Sequence, residues 1–314
     1  MNRKLDLAVK NDLIEEILKR LAPYLHGKRD ALLGVLACSF SGGHMLLEDL
    51  PGLGKTTLAI AVSRVLGLSF GRIQCTNDLL PTDVTGLNVF KADKGTFEFH
   101  PGPVFNNLVL VDEINRATPK TQSALLEAMG EEQATIDGQT YRLARPFLVI
   151  ATQNPVEHSG TFPLPESQMD RFMMKLSIGY PDRDSEMEIL RTGSQRYAIE
   201  EIEALLLPDE IVSTQMAIER DIKVSEKILA YILTFAERSR QHPLIETGIS
   251  TRGAMVLLAC ARTLAWMSGR DYVIPEDVKL FAREILAHRM QLKGGSSQGA
   301  PEVIASIMEE IPAL

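Results

Sequence analysis

The chain has 314 residues, of which 45% are hydrophobic and 24% are charged, a composition typical of a soluble globular protein rather than a disordered one. This length suffices for one large domain or two ordinary domains, each with its own core. The formal net charge of -8 argues against a broad nucleic-acid-binding surface, so nucleic acid is not an expected partner.

The amino-terminal stretch MNRKLDLAVKNDLIEE lacks the apolar core and cleavage site of a secretion signal. The longest nearly apolar stretch, residues 31–40, is too short to span a bilayer. Three widely spaced cysteines predict buried thiols rather than disulfides or a zinc site. The motifs HExxH and GxSxG do not occur, so metalloprotease and serine-hydrolase activities have no support. We expect a cytoplasmic protein without a membrane span.

The first part of the chain is arranged around one glycine-rich turn. Hydrophobic residues at helical spacing predict an amphipathic helix over residues 5–22 and a mostly apolar helix over residues 29–41. A short apolar strand begins at residue 44 and leads into the turn PGLGKTT at residues 51–57, which a helical pattern follows at once. A strand, a tight glycine turn and a helix, in this order, form a phosphate-binding loop, because the free amides and the dipole of the helix bind anions.

Two side chains of this loop have expected contacts with a nucleotide. Lys55 would reach the β- and γ-phosphates, and the Thr56 hydroxyl would bind Mg²⁺. The strict loop pattern has a glycine five residues before Gly54, where this chain has Asp49. On this stretch alone, a glycine-rich turn before an ordinary helix is the alternative interpretation.

The segments after the loop read as strands and turns up to residue 107. Residues 69–75 predict a short strand, and residues 76–107 are rich in glycine and proline. Within them, residues 96–99 alternate like one arm of a small hairpin. The continuous apolar run at residues 108–111 favours a strand buried on both faces of a parallel sheet.

Further elements follow in a regular order. Thr118 and Pro119 begin a helix that is predicted to extend to about residue 132. The Asp-Gly pair at residues 137–138 predicts a hairpin turn, and strands are predicted over residues 147–152 and 174–180.

Beyond an apparent hinge at residues 181–183, the chain shows helical periodicity and almost no strand pattern. The sequence therefore predicts an α/β domain over residues 1–182 and a helical domain over residues 183–314.

Polar side chains end two of the predicted buried strands. Asp112 and Glu113 follow the first strand, where packing gives no reason for two acids. In a phosphate-loop ATPase the first acid holds Mg²⁺ through water and the second polarises the attacking water. Asn154 ends the next strand, where its side chain would orient water against the γ-phosphate. The alternative for the two acids is that they mark a strand end that emerges into solvent. The alternative for Asn154 is an ordinary Asn-Pro turn.

Together, the segments LLEDLPGLGKTT, LVLVDEINRATPKTQSALLEAMGE, VIATQNP, FPLPESQMDRFMMK and GYPDRDSE resemble the MoxR family of AAA+ ATPases nearly end to end. DEINRA combined with LPESQMDRF is specific to that group. The resemblance implies an AAA+ αβα sandwich with a five-stranded parallel phosphate-loop sheet, followed by a small all-α lid domain. Asp49 fits this family, whose loop commonly reads ED-x-PG-x-GKT.

The resemblance also implies a ring, usually a hexamer, with ATP at the subunit boundary. Arg171 matches the position of the arginine finger, which a neighbouring subunit supplies to stabilise charge on the transferred phosphoryl group. A local salt bridge with Glu166 or Asp170 is the alternative role for this arginine, and Arg116 is a competing finger.

Arg252 resembles the second-sensor arginine of the lid. An arginine in the first turn of a helix opposes the helix dipole, so its placement makes sense if it faces an anion such as the γ-phosphate. A solvated arginine beside a Ser/Thr cap is the alternative.

The expected catalytic residues are Glu113, Asn154, Arg171 and Arg252. The expected nucleotide-binding residues are Asp49, Pro51, Gly52, Leu53, Gly54, Lys55, Thr56, Thr57 and Asp112. Thr56 and Asp112 are also the expected ligands of Mg²⁺.

The sequence thus predicts an ATPase that uses ATP and Mg²⁺ and acts as a homo-oligomeric ring in chaperone-like remodelling or maturation of protein complexes. The resemblance implies a protein client and a partner with a von Willebrand factor A domain. A nucleotide-dependent scaffold with negligible hydrolysis is the alternative. The hairpins near residues 95–103 and 134–143 would face the ring pore or a client, although Phe97 and Phe99 would equally serve to fasten the first hairpin to the domain.

Overall fold

The computed structural model describes residues 9–156, 160–193, 198–294 and 299–311. Within them the strands are β1 (His44–Glu48), β2 (Phe70–Gln74), β3 (Gly86–Lys91), β4 (Thr96–Pro101), β5 (Leu108–Asp112), β6 (Gln133–Ile136), β7 (Gln139–Arg142), β8 (Leu148–Gln153), β9 (Phe172–Leu176), β10 (Ile245–Thr247) and β11 (Gln291–Leu292). The α-helices are α1 (Asp12–Leu21), α2 (Arg29–Phe40), α3 (Lys55–Val65), α4 (Pro81–Thr85), α5 (Pro119–Glu131), α6 (Glu166–Met169), α7 (Arg183–Thr192), α8 (Pro208–Asp221), α9 (Glu226–Gln241), α10 (Thr251–Met267), α11 (Pro275–Leu280), α12 (Ala282–Leu286) and α13 (Ala300–Glu310).

Five of these strands form one parallel sheet in the order β2-β5-β8-β1-β9, which confirms the predicted five-stranded parallel sheet. The apolar run predicted to be buried on both faces is β5, and every residue of this strand is buried. Leu108 and Leu110 face one apolar core, and Val109 and Val111 face the other. Because the strands are parallel, the carboxyl ends of β1, β5 and β8 meet at one edge of the sheet.

The last strand differs from its prediction, because β9 begins at Phe172 and ends at Leu176 rather than covering residues 174–180. Ser177, Ile178 and Gly179 leave the sheet and donate hydrogen bonds to the carboxylate of Asp49. A buried carboxylate that needs donors thus ends the strand earlier than its apolar pattern suggests.

The helices after residue 198 pack on the core that α1, α2 and α3 form with one face of the sheet, and the apolar residues of the two parts are continuous. The division at residues 182 and 183 therefore stays a prediction. The helical part also contains the short antiparallel pair β10 and β11, so it is not purely helical. Among the described helices, none is long and apolar enough to cross a membrane. All three cysteines are free and buried, as predicted.

Two hairpins stand beside the sheet. Strands β3 and β4 pair over their whole length, and β6 and β7 pair around the predicted turn, in which Asp137 and Gly138 both have positive φ. Asn88 Nδ2 donates to Asp137 Oδ2 over 2.9 Å and thus joins the hairpins. Phe99 stacks on Tyr141 with ring centroids 4.3 Å apart, whereas the Phe97 side chain is 71% exposed.

Candidate functional site

A cavity of about 390 Å³ lies at the carboxyl edge of the sheet. Its lining residues come from the turn after β1, from β2, and from the ends of β5 and β8: Pro51, Gly52, Gly54, Lys55, Thr56, Thr57, Arg72, Gln74, Asp112, Glu113, Thr152 and Asn154. The structure therefore brings most of the predicted site residues together in one place. Asp49, Leu53, Arg171 and Arg252 are not part of this lining.

The predicted phosphate loop has the backbone conformation that its glycines allow. Gly52 and Gly54 have φ of +84° and +88°, in the left-handed region that favours glycine. A Cβ atom at either position would meet no atom of the described residues within 4 Å, so the backbone conformation favours glycine there. Helix α3 begins directly after Gly54, and the amides of its first turn have no partner within the helix. Such amides form an anion-binding site.

Lys55 lies across this loop and is held by its backbone. Its Nζ atom donates to the carbonyl of Asp49 over 2.6 Å and to the carbonyl of Leu50 over 3.1 Å. Burial lowers the pKa of Lys55, and the nearby carboxylates of Asp49, Asp112 and Glu113 oppose that shift. An ammonium group that donates to two neutral carbonyls can exchange them for a phosphate, which is a stronger partner.

Asp112 is buried and already has two partners. Its Oδ2 atom accepts a hydrogen bond from Arg72 Nε at 2.8 Å, and its Oδ1 atom accepts one from Thr152 Oγ1 at 3.4 Å. Arg72 also donates to Gln74 Oε1 over 3.2 Å. The Asp112 carboxylate is therefore hydrogen-bonded to one guanidinium and one hydroxyl group.

Glu113 has an unusual backbone, with φ +57° and ψ +51°, the left-handed region that non-glycine residues seldom occupy. Its N–H donates to Thr152 Oγ1 over 2.9 Å, and its Oε2 atom accepts from Arg116 Nη1 at 3.0 Å. Such a conformation costs on the order of 1–3 kcal/mol and is typical of functional sites. The Thr152 hydroxyl thus holds both acids, since it accepts from one residue and donates to the other.

Asn154 lies in the cavity lining, and its Oδ1 atom accepts a hydrogen bond from the N–H of Val156 at 3.2 Å. The predicted location and the alternative Asn-Pro turn are therefore both found. A side chain fixed by its own turn is held in one orientation toward the cavity wall.

The sequence analysis missed three polar residues of the cavity, Arg72, Gln74 and Thr152. Arg72 and Gln74 alternate on β2, and in the sheet register Gln74 lies beside Asp112. A pair of polar side chains two residues apart, on a strand next to the one that ends in acids, is the signal that could have identified two of them. Thr152 gave no such signal, because it ends an apolar run.

Arg171 lies at the amino end of the strands of the sheet, whereas the cavity lies at their carboxyl end. It directly precedes β9, whose first residue Phe172 pairs with His44 at the start of β1, whereas the phosphate loop follows the end of β1. Four residues of strand correspond to about 13 Å, so the two edges are well separated. Arg171 Nη1 donates to the carbonyl of Leu126 over 2.7 Å, a backbone partner rather than the acids Glu166 or Asp170 considered above.

Arg252 lies with Asp170 at this same edge. Its Nε atom is 3.5 Å from Asp170 Oδ2, and its side chain is 63% exposed. Asp170 Oδ1 also accepts from Arg289 Nε at 2.9 Å, and the Arg289 side chain is almost fully buried. Burial lowers the pKa of Arg289, and Asp170 opposes that shift. One acid beside Arg171 therefore binds two arginines of the helical part.

Asp49 is turned away from the cavity. Its carboxylate accepts hydrogen bonds from Ser177 Oγ at 2.7 Å, from the N–H of Gly179 at 3.2 Å and from the N–H of Ile178. The expected contact between this carboxylate and a nucleotide is therefore not one that the structure provides. Leu53, between the two loop glycines, is likewise outside the lining.

Comparison with known proteins places this arrangement in a family. Residues 44–174 match the ATPase family associated with various cellular activities (AAA), and residues 237–311 match the AAA lid domain. The chain is 44% identical to the protein YeaC of Bacillus subtilis over 280 residues, which cover 89% of this chain and 87% of that protein. It is 36% identical to the chaperone MoxR1 of Mycobacterium tuberculosis, over 98% of this chain and 84% of that protein.

Two further similarities extend over nearly the whole length. The protein MoxR of Methylorubrum extorquens is 32% identical, over 94% of this chain and 93% of that protein. A crystal structure of a candidate ATPase from Cytophaga hutchinsonii superposes with a TM-score of 0.88 at 38% identity, and the match covers 96% of this chain and 95% of that one.

Proposed function

This chain belongs to the MoxR family of AAA ATPases, and from that membership we propose that it hydrolyses ATP to ADP and phosphate in the cavity at the carboxyl edge of its sheet. The observation that carries this proposal is the convergence of Lys55, Asp112 and Glu113 in one cavity lined by the glycine loop. These are a phosphate-binding cation and two carboxylates, the groups that phosphoryl transfer to water requires.

The phosphates bind to the loop. The amides after Gly52 and Gly54 face the anion, and Lys55 exchanges the carbonyls of Asp49 and Leu50 for phosphate oxygens. Thr56 and Asp112 would hold Mg²⁺, because a hydroxyl and a buried carboxylate both supply the oxygen ligands that this ion prefers. The ion neutralises charge on the phosphates when it is bound.

Glu113 is the general base. Water attacks the γ-phosphorus, the bond to the bridging oxygen of ADP breaks, and the proton of the water passes to the Glu113 carboxylate. Asn154 orients this water from the end of β8. Glu113 bonds to Arg116 before it acts, so this pair must open in the reactive state.

The site is completed by a second copy of the chain. Arg171 and Arg252 lie near Asp170 at the amino end of the sheet strands, away from the cavity, and this location supports a role on a neighbour's nucleotide rather than on their own. In a ring, a hexamer by family membership, each subunit presents this edge to the cavity of the next. A planar cation supplied in this way stabilises charge on the phosphoryl group and makes hydrolysis depend on assembly.

The ring acts on a protein client in chaperone-like remodelling or in the maturation of protein complexes. One relative is named a chaperone, which supports this role. Phe90 and Phe97 are exposed on the hairpin of β3 and β4, with ring centroids 5.3 Å apart. This apolar surface would contact an unfolded segment of a client. A protein with a von Willebrand factor A domain is the partner that family membership suggests.

Steady-state ATP turnover of the wild type and of Glu113→Gln tests the proposal. We expect the variant to bind ATP with similar affinity and to lose at least about 10²-fold in turnover, the usual contribution of a general base. Glu237→Gln, which changes an exposed glutamate on α9, is the matched control and should turn over like the wild type. Equal rates in wild type and Glu113→Gln would contradict the assignment of Glu113.

A nucleotide-dependent scaffold is the second candidate function, because the carboxylates of Asp112 and Glu113 already have arginine partners. Nucleotide binding without turnover in any assembly state of the wild type would favour this candidate.

A further inference from the structure

Asp49 lies two residues before the glycine turn at residues 51–57, and its side chain is bound to another part of the chain. It is 6% exposed, and its carboxylate accepts the three hydrogen bonds from Ser177, Ile178 and Gly179. These residues follow β9 directly and lead, within a few residues, into α7. The side chain therefore ties the loop to the segment that connects the sheet to the helices after it, hereafter the connecting segment (residues 177–182).

The backbone of the same residue belongs to the nucleotide site. The Asp49 carbonyl accepts a hydrogen bond from Lys55 Nζ at 2.6 Å, and its N–H donates to the carbonyl of Gln153 over 3.2 Å. Gln153 directly precedes Asn154. One buried residue thus contacts the phosphate-binding lysine, the end of β8 and the connecting segment.

Neighbouring charges strengthen this link. Lys28 Nζ donates to the carbonyl of Gly179 over 2.5 Å; burial lowers the pKa of Lys28, and Asp49 and Asp182 oppose that shift. Glu48, the residue before Asp49, pairs with Lys175 on β9 at 2.7 Å. The end of β1 is therefore joined to β9 and its continuation by two successive acids.

We propose that Asp49 is a positioning residue that transmits occupancy of the phosphate loop to the connecting segment. When a phosphate draws Lys55 from the carbonyl of Asp49, residue 49 loses its charged donor while its carboxylate remains bound to the backbone of residues 178 and 179. A shift of the loop then moves these residues, and with them the beginning of α7. The inference rests on the proposed function only in requiring that a nucleotide binds at the loop.

The chemistry of the side chain explains why an acid suits this place. All three donors point at one carboxylate, with two bonds on Oδ1 and one on Oδ2. An asparagine would turn its NH₂ group toward at least one of these donors, since it has a single acceptor oxygen. A glycine, which the strict loop pattern has at this position, would bind none of them.

Hydrogen–deuterium exchange of the full chain, with and without a non-hydrolysable ATP analogue and Mg²⁺, tests the proposal. The amides of Ile178 and Gly179 are themselves donors to Asp49, so their exchange reports the link directly. In the wild type we expect the analogue to protect residues 50–57 and also to change exchange in residues 177–183. In Asp49→Gly and Asp49→Asn we expect protection of the loop to persist, exchange at residues 178 and 179 to be at least about tenfold faster, and the response to nucleotide there to vanish.

Asp93→Asn, a change of an exposed aspartate in the turn between β3 and β4, is the matched control and should respond like the wild type. Ser177→Ala removes one of the three donors and retains the two amide bonds, so a reduced but nucleotide-dependent response is expected even if both Asp49 variants fail to fold. An unchanged response of residues 177–183 in Asp49→Gly would overturn the proposal. So would a wild type whose loop is protected while residues 177–183 do not respond. Absence of loop protection in the wild type would instead contradict the proposed nucleotide site.

Discussion

Arg72 Nε donates to Asp112 Oδ2 over 2.8 Å at the wall of the nucleotide cavity. The acid proposed to hold Mg²⁺ therefore already has a cation as its partner. Because Arg72 comes from β2 and Asp112 from β5, the contact depends on the pairing of neighbouring strands and not on closeness in sequence. A metal ion at Asp112 must compete with this guanidinium, whose side chain is 43% exposed and also donates to Gln74.

Arg72→Gln should increase the gain in nucleotide affinity that Mg²⁺ provides. The ion then meets an acid without a competing cation, and a half-exposed ion pair is worth roughly 0.2–1 kcal/mol, so the gain should rise by a factor between about 1.4 and about 5. Calorimetric titration of an ATP analogue with and without Mg²⁺ measures the two affinities. Arg191→Gln, which changes an exposed arginine on α7, is the control. An identical effect of Mg²⁺ in Arg72→Gln and wild type would show that the arginine does not compete for Asp112.

Thr152→Val should reduce ATP turnover by about 10- to 100-fold while it changes ATP affinity little, as is usual for groups that orient a catalytic residue. The hydroxyl accepts from the strained backbone of Glu113 and donates to Asp112, and valine, which has nearly the same shape, provides neither contact. Thr152→Ser retains the hydroxyl and should keep most of the activity. The measurement is kcat and KM for ATP in the three proteins. A larger effect on KM than on kcat would assign Thr152 to nucleotide binding instead.

Arg72 and Thr152 differ from the site residues that the sequence predicts. The loop, the buried strands and the acids at a strand end could be predicted, because each is a local pattern of glycine, apolar or acidic residues. Arg72 and Thr152 reach Asp112 through strand register, so the alternation of Arg72 and Gln74 on β2 could indicate Arg72 only once the pairing of β2 with β5 is known, and no local pattern indicates Thr152. The bond from Asp49 to residues 177–179 spans more than a hundred positions and also explains why β9 is shorter than its apolar pattern suggests. The contact of Arg289 with Asp170 is of the same long-range kind.

Mixing two inactive variants should restore ATP turnover. Lys55→Ala cannot bind phosphate but retains Arg171, and Arg171→Ala retains the nucleotide site but should lose turnover by about 10³-fold or more. In a random mixture of equal amounts, about one quarter of the subunit contacts combine an intact nucleotide site with an intact arginine, so recovery should approach about one quarter of wild-type activity.

The control for this mixture is Lys55→Ala with Glu113→Gln. There the only sites that contain Lys55 lack the proposed base, so no recovery is expected. Failure of the first mixture to recover, in oligomers shown to contain both variants, would contradict a finger role for Arg171. The same experiment with Arg116→Ala then tests the competing arginine, which bonds to Glu113 of its own chain.

Phe97→Ser and Phe99→Ala should differ in their effect on thermal unfolding. Phe97 is 71% exposed, so its change should alter the free energy of unfolding by less than about 0.5 kcal/mol. Phe99 stacks on Tyr141 and also contacts the ring of Phe105 at 5.3 Å, so its loss should cost about 1–2 kcal/mol. Of the two roles predicted for these rings, attachment of the hairpin to the domain would then belong to Phe99. Equal melting temperatures of the two variants would contradict that division.

Stability should fall as the pH is lowered from about 6.5 to about 4, in part because of His44. Its Nδ1 atom accepts from the N–H of Val149 and its Nε2 atom bonds to the carbonyl of Met129, so the ring is neutral and Nε2 carries the proton. Burial lowers the pKa of His44 from 6.5 to about 4. Between these values the unfolded chain binds a proton that the folded chain does not, which favours unfolding by up to roughly 3 kcal/mol at the acid end of the range.

Urea unfolding of wild type and His44→Gln at several pH values tests this, since glutamine offers an acceptor and a donor without titrating. As the pH falls, the free energy of unfolding should decrease more in the wild type than in His44→Gln. Parallel pH dependences of the two free energies would show that His44 does not cause the effect.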